Sequence, residues 1–101
     1  MIANEKRNTE TNILRGFYDT LNGTNWSNNM LWLDEFASYC RWYGVVCDER
    51  GVSVTKLELG NSGLSGELGT EMMIKLSGLA YLKVLDLRGN DIRVCSDFLL
   101  Y

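Results

Sequence analysis

The chain has 101 residues, which favours one domain with a modest core, and 46% of its residues are hydrophobic, as in globular proteins. Its 13 acidic and 10 basic residues give a formal charge of -3 without blocks of one sign, so the clustered basic footprint of a nucleic-acid-binding protein is absent. No apolar run approaches the roughly 20 residues that span a bilayer, and the absence of histidine removes the commonest general base and metal ligand.

The N-terminal segment predicts a polar tail followed by an amphipathic helix. Residues 1–8 are polar from the fourth onward and lack the apolar core of a signal peptide, so we expect a flexible tail. From Thr9 the apolar positions follow a helical spacing, with Thr9 or Thr11 as candidate N-cap and "NG" at 22–23 as the C-terminal stop. These apolar positions are Ile13, Leu14, Phe17, Tyr18 and Leu21.

The next segment contains turn-forming residues, three tryptophans and two cysteines. Trp26, Trp32 and Trp42 are predicted to fill the core, with a carbohydrate platform as the alternative. The cysteines of "CRWYGVVC", at 40 and 47, admit three interpretations: a structural disulfide, buried thiols, or a metal or redox pair. Cys95 makes the count odd and leaves one thiol without an assigned role.

Two adjacent glycosylation sequons lie in the loop after the predicted helix. They are Asn22-Gly-Thr and Asn25-Trp-Ser, so Asn22 and Asn25 are candidate N-glycosylation sites. Sequons matter only in a chain that enters the secretory route, and they support secretion weakly because they are frequent by chance.

Two segments of the C-terminal half share one apolar pattern, that of a leucine-rich repeat. "VTKLELGNSGL" starts at Val54 and "LKVLDLRGNDI" starts at Leu82, and both match the apolar positions of the template L-x-x-L-x-L-x-x-N-x-L. The asparagine of the template is Asn90 in the second copy, whereas the first copy has Ser62 there with Asn61 beside it. Leu57 and Leu59 lie two apart on a predicted strand and therefore point to the same side, into the core. We expect the Asn90 amide to satisfy backbone groups in the turn. The intervening segment predicts a short helix with Met72, Met73, Leu76 and Leu79 inward.

The residues between the repeated leucines are predicted to point outward and to form a concave binding face. Consecutive strands would place Glu58 beside Asp86, a like-charge pair that is mildly unfavourable. A merely solvated surface is the simplest alternative. The candidate face consists of Lys56, Glu58, Gly60, Val84, Asp86 and Arg88.

The helix, "NGTNW", the pattern C-x-W-x-G-V-x-C and the first repeat "VTKLELGNSGLSGELG" together resemble the plant-type N-terminal cap of leucine-rich-repeat proteins. This cap precedes the solenoid in receptor-like kinases, receptor-like proteins and polygalacturonase inhibitors. The resemblance implies an α/β fold, in which a helical cap precedes the start of a solenoid with a short parallel sheet. It divides the chain into a tail (1–8), a cap (9–52) and two repeats (53–101).

The resemblance also implies a disulfide between Cys40 and Cys47, because the family pairs these two cysteines. The residues agree with a staple, since structural zinc needs four ligands and the chain has three cysteines without histidine. A redox pair normally has the form C-x-x-C at the start of a helix, which this spacing does not match. Gly44, between the cysteines, is expected to allow a turn or a close backbone approach.

The function implied by the resemblance is non-catalytic recognition, as the N-terminal part of a leucine-rich-repeat receptor-like or secreted protein. Its expected partners are a protein or peptide ligand, or a cell-wall saccharide, and its expected location is extracellular or at the cell surface, although no signal peptide is visible. No cofactor is expected, and the acid pairs at 34–35 and 48–49 are predicted to be solvated loop residues. The alternative is a truncated structural or regulatory fragment without independent ligand binding, which associates through its uncapped C-terminal end. If the chain is not truncated, "FLLY" at 98–101 is expected to fold back over that end as a cap.

Overall fold

A computed structural model describes residues 2–94, with side chains described from Thr9 onward. The predictions about Cys95 and about residues 98–101 lie outside the described residues. The helices are α1 (Ile2–Thr20) and α2 (Thr70–Leu76), and two short 3-10 turns span Gly23–Asn25 and Tyr39–Arg41. The strands are β1 (Val45–Cys47), β2 (Val54–Glu58), β3 (Ser65–Leu68), β4 (Val84–Asp86) and β5 (Asp91–Val94).

Helix α1 starts earlier than the sequence pattern predicted. Its backbone is helical from Ile2, so Thr9 and Thr11 are interior residues and not N-caps. The polar segment 2–8 contains alanine, glutamate, lysine and arginine, which are good helix formers, and no glycine or proline to end the helix. The predicted C-terminal stop is confirmed, because the helix ends at Thr20 and Asn22 adopts a left-handed backbone with φ 58°.

Five strands form two small sheets. In the first, with order β1-β2-β4, β1 is antiparallel to β2 and β4 is parallel to β2. Leu57 of β2 lies beside Leu85 of β4, so the two copies of the leucine pattern pair in register. The second sheet joins β3 and β5 in parallel. The sequence pattern did not predict the strands β1, β3 and β5.

The core lies between α1, α2 and the inward side of the first sheet. All five predicted apolar positions of α1 are buried, and Leu57, Leu59 and Leu64 are fully buried. Met72, Leu76 and Leu79 are also buried, as predicted, while Met73 is half-buried against the same cluster. Helix α2 therefore covers the core from the side opposite to the predicted binding face.

The segment between the two 3-10 turns has no regular secondary structure and is organised by its tryptophans. The ring centroids of Trp26 and Trp32 lie 4.9 Å apart in an edge-to-face arrangement, and those of Trp32 and Trp42 lie 5.0 Å apart. All three side chains are at most 7% exposed, so they fill the core and are not available as a carbohydrate platform. Phe36, in the same segment, is 96% exposed.

Candidate functional site

The predicted binding residues lie on the side of the first sheet that faces away from the core. Lys56 and Glu58 are exposed on β2, on the opposite side from the buried Leu57. Val84 is 39% exposed and pairs with Lys56, while Asp86 pairs with Glu58. We call the set Lys56, Glu58, Gly60, Val84, Asp86 and Arg88, together with Val46, the outward face.

Strand β1 extends the outward face by one strand. Val46 lies directly opposite Lys56 in the antiparallel pair and is half-buried, so it adds an apolar contact to the face. The sequence reasoning missed this residue because it did not assign a strand to "VVC". The valine pair was the available signal, since β-branched residues favour strands.

The charges at one end of the outward face are organised by an ion pair. Arg88 donates from Nε to Asp86 Oδ1 at 3.0 Å and from an Nη to Asp86 Oδ2 at 3.1 Å. The hydrogen bond from the Arg88 side chain is the main reason that the pKa of Asp86 is lowered, and the bond from the Arg88 backbone adds to it. The predicted repulsion between Glu58 and Asp86 is therefore offset by the arginine.

Gly60 contributes backbone to the outward face, because the neighbouring strand comes too close for a side chain. A Cβ on Gly60 would lie 3.3 Å from the Arg88 carbonyl oxygen and 3.5 Å from Asp86 Oδ1. On either side of Gly60, the amide of Leu59 donates to the Asp86 carbonyl at 2.9 Å and that of Asn61 donates to the Arg88 carbonyl at 2.7 Å. The parallel ladder thus continues beyond the last residue of β2.

A disulfide between Cys40 and Cys47 holds β1 at the edge of the outward face. Its Cα atoms are 5.5 Å apart, and it joins the second 3-10 turn to the last residue of β1. This is the pair that the resemblance implied. Gly44, between the cysteines, has φ +84°, and a Cβ there would lie 2.6 Å from the Glu58 carbonyl oxygen. The close approach lets the Gly44 carbonyl accept from the Glu58 amide at 2.7 Å.

The Asn90 side chain connects the two copies of the leucine pattern. Its Oδ1 accepts from the backbone amides of Ser62 and Leu64, both at 3.0 Å. Its Nδ2 donates to the carbonyls of Leu59 at 2.8 Å and Leu87 at 2.9 Å. Nδ2 also lies 3.4 Å from the Arg88 carbonyl oxygen. The predicted role of Asn90 in its own turn is confirmed, and three of its five partners belong to the preceding copy of the pattern.

A buried glutamate side chain, which the sequence reasoning missed, joins α1 to the first sheet. Glu10 is 1% exposed, and its Oε1 accepts from the Tyr39 hydroxyl at 3.2 Å and from the Val54 amide at 3.1 Å. Glu10 lies three, four and seven residues before Ile13, Leu14 and Phe17, which is the spacing of one helix face. The signal in the sequence was a glutamate on the same helix face as these apolar residues, which indicates a buried hydrogen-bond acceptor.

The remaining acidic residues lie apart from the outward face. No group of three histidine, cysteine, aspartate or glutamate side chains is placed to hold a metal among residues 9–94. Asp34 and Glu35 are exposed at a cavity of about 440 Å³ that shares no residue with the outward face. Asp48 is half-buried and accepts from the Val52 amide at 3.0 Å, so it stabilises the turn before β2.

Asn22 and Asn25, the candidate glycosylation sites, are both exposed in the loop after α1. Within the described chain, neither helix combines the length and the apolarity that crossing a bilayer requires.

Comparisons with known proteins connect the chain to plant receptors. Receptor-like protein 50 of Arabidopsis thaliana is 37% identical over 67 residues, which is 66% of this chain and 6% of the relative. LRR receptor-like serine/threonine-protein kinase SIK1 of Oryza sativa subsp. japonica is 35% identical over 66 residues, or 65% of this chain and 6% of the relative. About two thirds of the chain is thus similar to segments of plant receptor-like proteins, one of them a leucine-rich-repeat receptor-like kinase. The chain spans about 6% of the length of these two relatives, and no family model matches it.

Proposed function

We propose that the chain is a non-catalytic recognition module, the N-terminal part of a leucine-rich-repeat receptor-like or secreted protein. In this proposal residues 9–52 form the helical cap and residues 53–101 form the first two repeats of a solenoid. The module acts outside the cell and contributes to ligand-dependent signalling, and its outward face contacts a protein or peptide. A cell-wall saccharide is the second ligand class, although the buried tryptophans offer it no stacking platform.

The observation that carries this proposal is the in-register pairing of β2 with β4. The pairing places Leu57 and Leu85 on the same side of the sheet, where Leu57 is fully buried and Leu85 is still 36% exposed. It leaves a strip of mainly charged and small residues on the other side. Such a strip, built from short parallel strands, is the type of surface with which solenoid proteins bind extended partners. The similarity to receptor-like proteins supports the same interpretation.

The size of the outward face limits the strength of binding. Three strands of three to five residues cover roughly 170 Å², given about 4.8 Å between strands and about 3.3 Å per residue. A stable protein interface uses about 800 Å² per partner. We therefore expect this face to bind a short peptide weakly on its own and to act as one part of a larger contact surface.

The alternative proposal is a structural or regulatory fragment without independent ligand binding. It is favoured by the outer strands β4 and β5, each of which has a paired strand on only one side in the described region. Val84, Leu85 and Val94 on these strands are 36% to 50% exposed. Such edges associate with other strands, so this alternative predicts concentration-dependent self-association or pairing with another repeat protein.

Selection from a library of displayed random peptides distinguishes the two proposals, when the wild-type chain and two matched double variants are compared. Glu58→Ala with Arg88→Ala alters the outward face. Glu67→Ala with Arg93→Ala is the control, because these exposed residues are a neighbouring pair of the same charges on the β3–β5 sheet. Peptides that bind the wild type and the control but lose about tenfold in affinity for the face variant support recognition.

Two results contradict recognition by this face. One is a selection that enriches no peptide, and the other is a loss of binding that is equal in the two double variants. Sedimentation velocity over a range of concentrations then tests the alternative. A monomer at all concentrations contradicts association through the β4 and β5 edges.

A further inference from the structure

The two adjacent sequons place two asparagines in one loop, and the surroundings of these asparagines differ. The first sequon begins at Asn22, next to the end of α1, and the second begins at Asn25, the last residue of the first 3-10 turn. Both side chains are exposed, so exposure alone does not distinguish them. Their amide nitrogens, the atoms that N-glycosylation modifies, differ in what they bind.

The amide nitrogen of Asn22 is engaged by the fold. Its Nδ2 donates to the Ser65 carbonyl oxygen at 3.0 Å and lies 3.1 Å from the Ser65 hydroxyl oxygen. These contacts connect the loop after α1 to the first residue of β3. The same nitrogen would lie 3.7 Å from a Cβ on Gly66, so it sits directly against the strand and not in open solvent.

The amide of Asn25 has no such role. Its side chain is exposed and makes no hydrogen bond within the described part of the chain. The backbone of the residue is well held, since its amide donates to the Asn22 carbonyl at 2.9 Å and Trp26, the next residue, is buried. Asn25 therefore presents a free carboxamide on a fixed backbone.

We propose that Asn25 is the N-glycosylation site of the folded protein and that Asn22 is left unmodified. This inference depends on the extracellular location in the proposed function. In the transfer, the Asn25 Nδ2 forms a bond to the anomeric carbon of an oligosaccharide carried on a lipid diphosphate. The bond from that carbon to the diphosphate oxygen breaks, the lipid diphosphate leaves, and one Nδ2 proton is released.

The fold accommodates a glycan on Asn25 and disfavours one on Asn22. A glycosylated amide keeps a single N–H, so a sugar on Asn22 would remove a donor that contacts Ser65. The sugar would also have to occupy the space between the loop and β3. At Asn25 the sugar replaces only water. Chains modified at Asn22 are thus expected to fold and leave the cell less efficiently than chains modified at Asn25.

The test uses the full chain secreted from eukaryotic cells behind an added export signal, so the result does not depend on the natural compartment. Thr24→Ala removes the first sequon and Ser27→Ala removes the second, each by deleting an exposed hydroxyl that makes no hydrogen bond in the described residues. The readout is the gel mobility of the secreted protein before and after enzymatic removal of N-linked glycans. Peptide mass spectrometry identifies the modified asparagine.

We expect the wild type and Thr24→Ala to carry one glycan, on Asn25, and Ser27→Ala to be secreted without one. The proposal is overturned by a glycan on Asn22 in the secreted wild type or in Ser27→Ala. It is equally overturned by secreted wild type that carries no glycan. Peptide selection with the enzymatically deglycosylated protein reports separately on the outward face, so a failure of either proposal is recognised independently of the other.

Discussion

The two copies of the leucine pattern share their apolar positions and pair in register but differ in burial. Leu57 in the first copy is fully buried, whereas its partner Leu85 in the second copy is 36% exposed. Leu57 lies in the central strand, between β1 and β4, while Leu85 lies in an outer strand of the described sheet. The pattern therefore predicts which way a side chain points, and the neighbouring layers determine how much of it is removed from water.

The largest expected effect comes from the same substitution made in both copies. Leu57→Ala opens a cavity in a filled core, and we expect it to lower the free energy of unfolding by about 3–4 kcal/mol. Leu85→Ala removes a side chain that already contacts water, so we expect a loss of about 1 kcal/mol. Chemical denaturation of the wild type and both variants measures the difference. Equal losses in the two variants would contradict the comparison, because they would require equal packing on the two strands.

Asn90 tests how far the two copies depend on each other. Asn90→Ala leaves the amides of Ser62 and Leu64 without their acceptor, and we expect a loss of about 2–3 kcal/mol in the free energy of unfolding. Asn90→Asp keeps an acceptor for these amides but cannot donate to the Leu59 and Leu87 carbonyls, so its loss should be smaller.

Asn25→Ala is the control for this pair, since the Asn25 carboxamide makes no hydrogen bond in the described region. It should change the denaturation midpoint little. If Asn90→Ala behaves like this control, the asparagine is not the connection between the copies.

Removal of the disulfide tests the pairing of β1 with β2, on the other side of the central strand. Replacing both Cys40 and Cys47 by serine frees a short loop in the unfolded chain, and we expect a loss of about 2 kcal/mol. Hydrogen exchange should accelerate most at the amides of β1, because this strand is held by the bridge at its end. A reducing agent should destabilise the wild type and leave the double variant unchanged. Acceleration spread evenly over β2 and β4 would contradict a local role for the bridge.

The parts of the fold that were predictable from sequence are those where one periodicity decides the structure. The apolar stripe of α1 and the leucines of β2 and β4 are of this kind, and so is the Asn90 turn. The segment around Trp32 is different, because Leu31 and Leu33 both have left-handed backbones, with φ 67° and 66°. Leucine rarely adopts this conformation, and here the burial of the tryptophan between them compensates for the cost. Such compensation depends on tertiary contacts and leaves no local pattern.

The candidate site, like the fold, was predictable from the sequence only in part. Residues on β2 and β4 followed from the alternation of a strand, so Lys56 and Glu58 were placed correctly on the outer side. Val46 and Glu10 were missed because their roles depend on partners distant in sequence. Val46 joins the face only through its pairing with Lys56, and Glu10 is buried only because Tyr39 and Val54 provide its donors.

The smallest expected effect concerns the charged side chains on the outward face, whose ion pairing differs between the two copies. In the first copy, neither Lys56 nor Glu58 forms an ion pair within the described residues, whereas Asp86 in the second copy pairs with Arg88. The hydrogen bonds from Arg88 hold the pKa of Asp86 below its usual 3.8, so the unfolded chain binds this proton more readily than the folded chain does. The pair therefore adds stability above about pH 3.8, and this contribution disappears as the pH falls through the lowered pKa.

Asp86→Asn should consequently lower the melting temperature slightly at neutral pH, and the difference from the wild type should shrink as the pH falls below the usual aspartate value. The Arg88 side chain is 89% exposed and that of Asp86 is 28% exposed, so water screens the pair and keeps the effect small. Making the same substitution in an Arg88→Gln background provides the control, because the arginine is the main cause of the lowered pKa. There the pH dependence of the difference should largely vanish. A difference that instead grows toward acidic pH would mean that Asp86 destabilises the folded chain when charged, and that repulsion from Glu58 outweighs the attraction of Arg88.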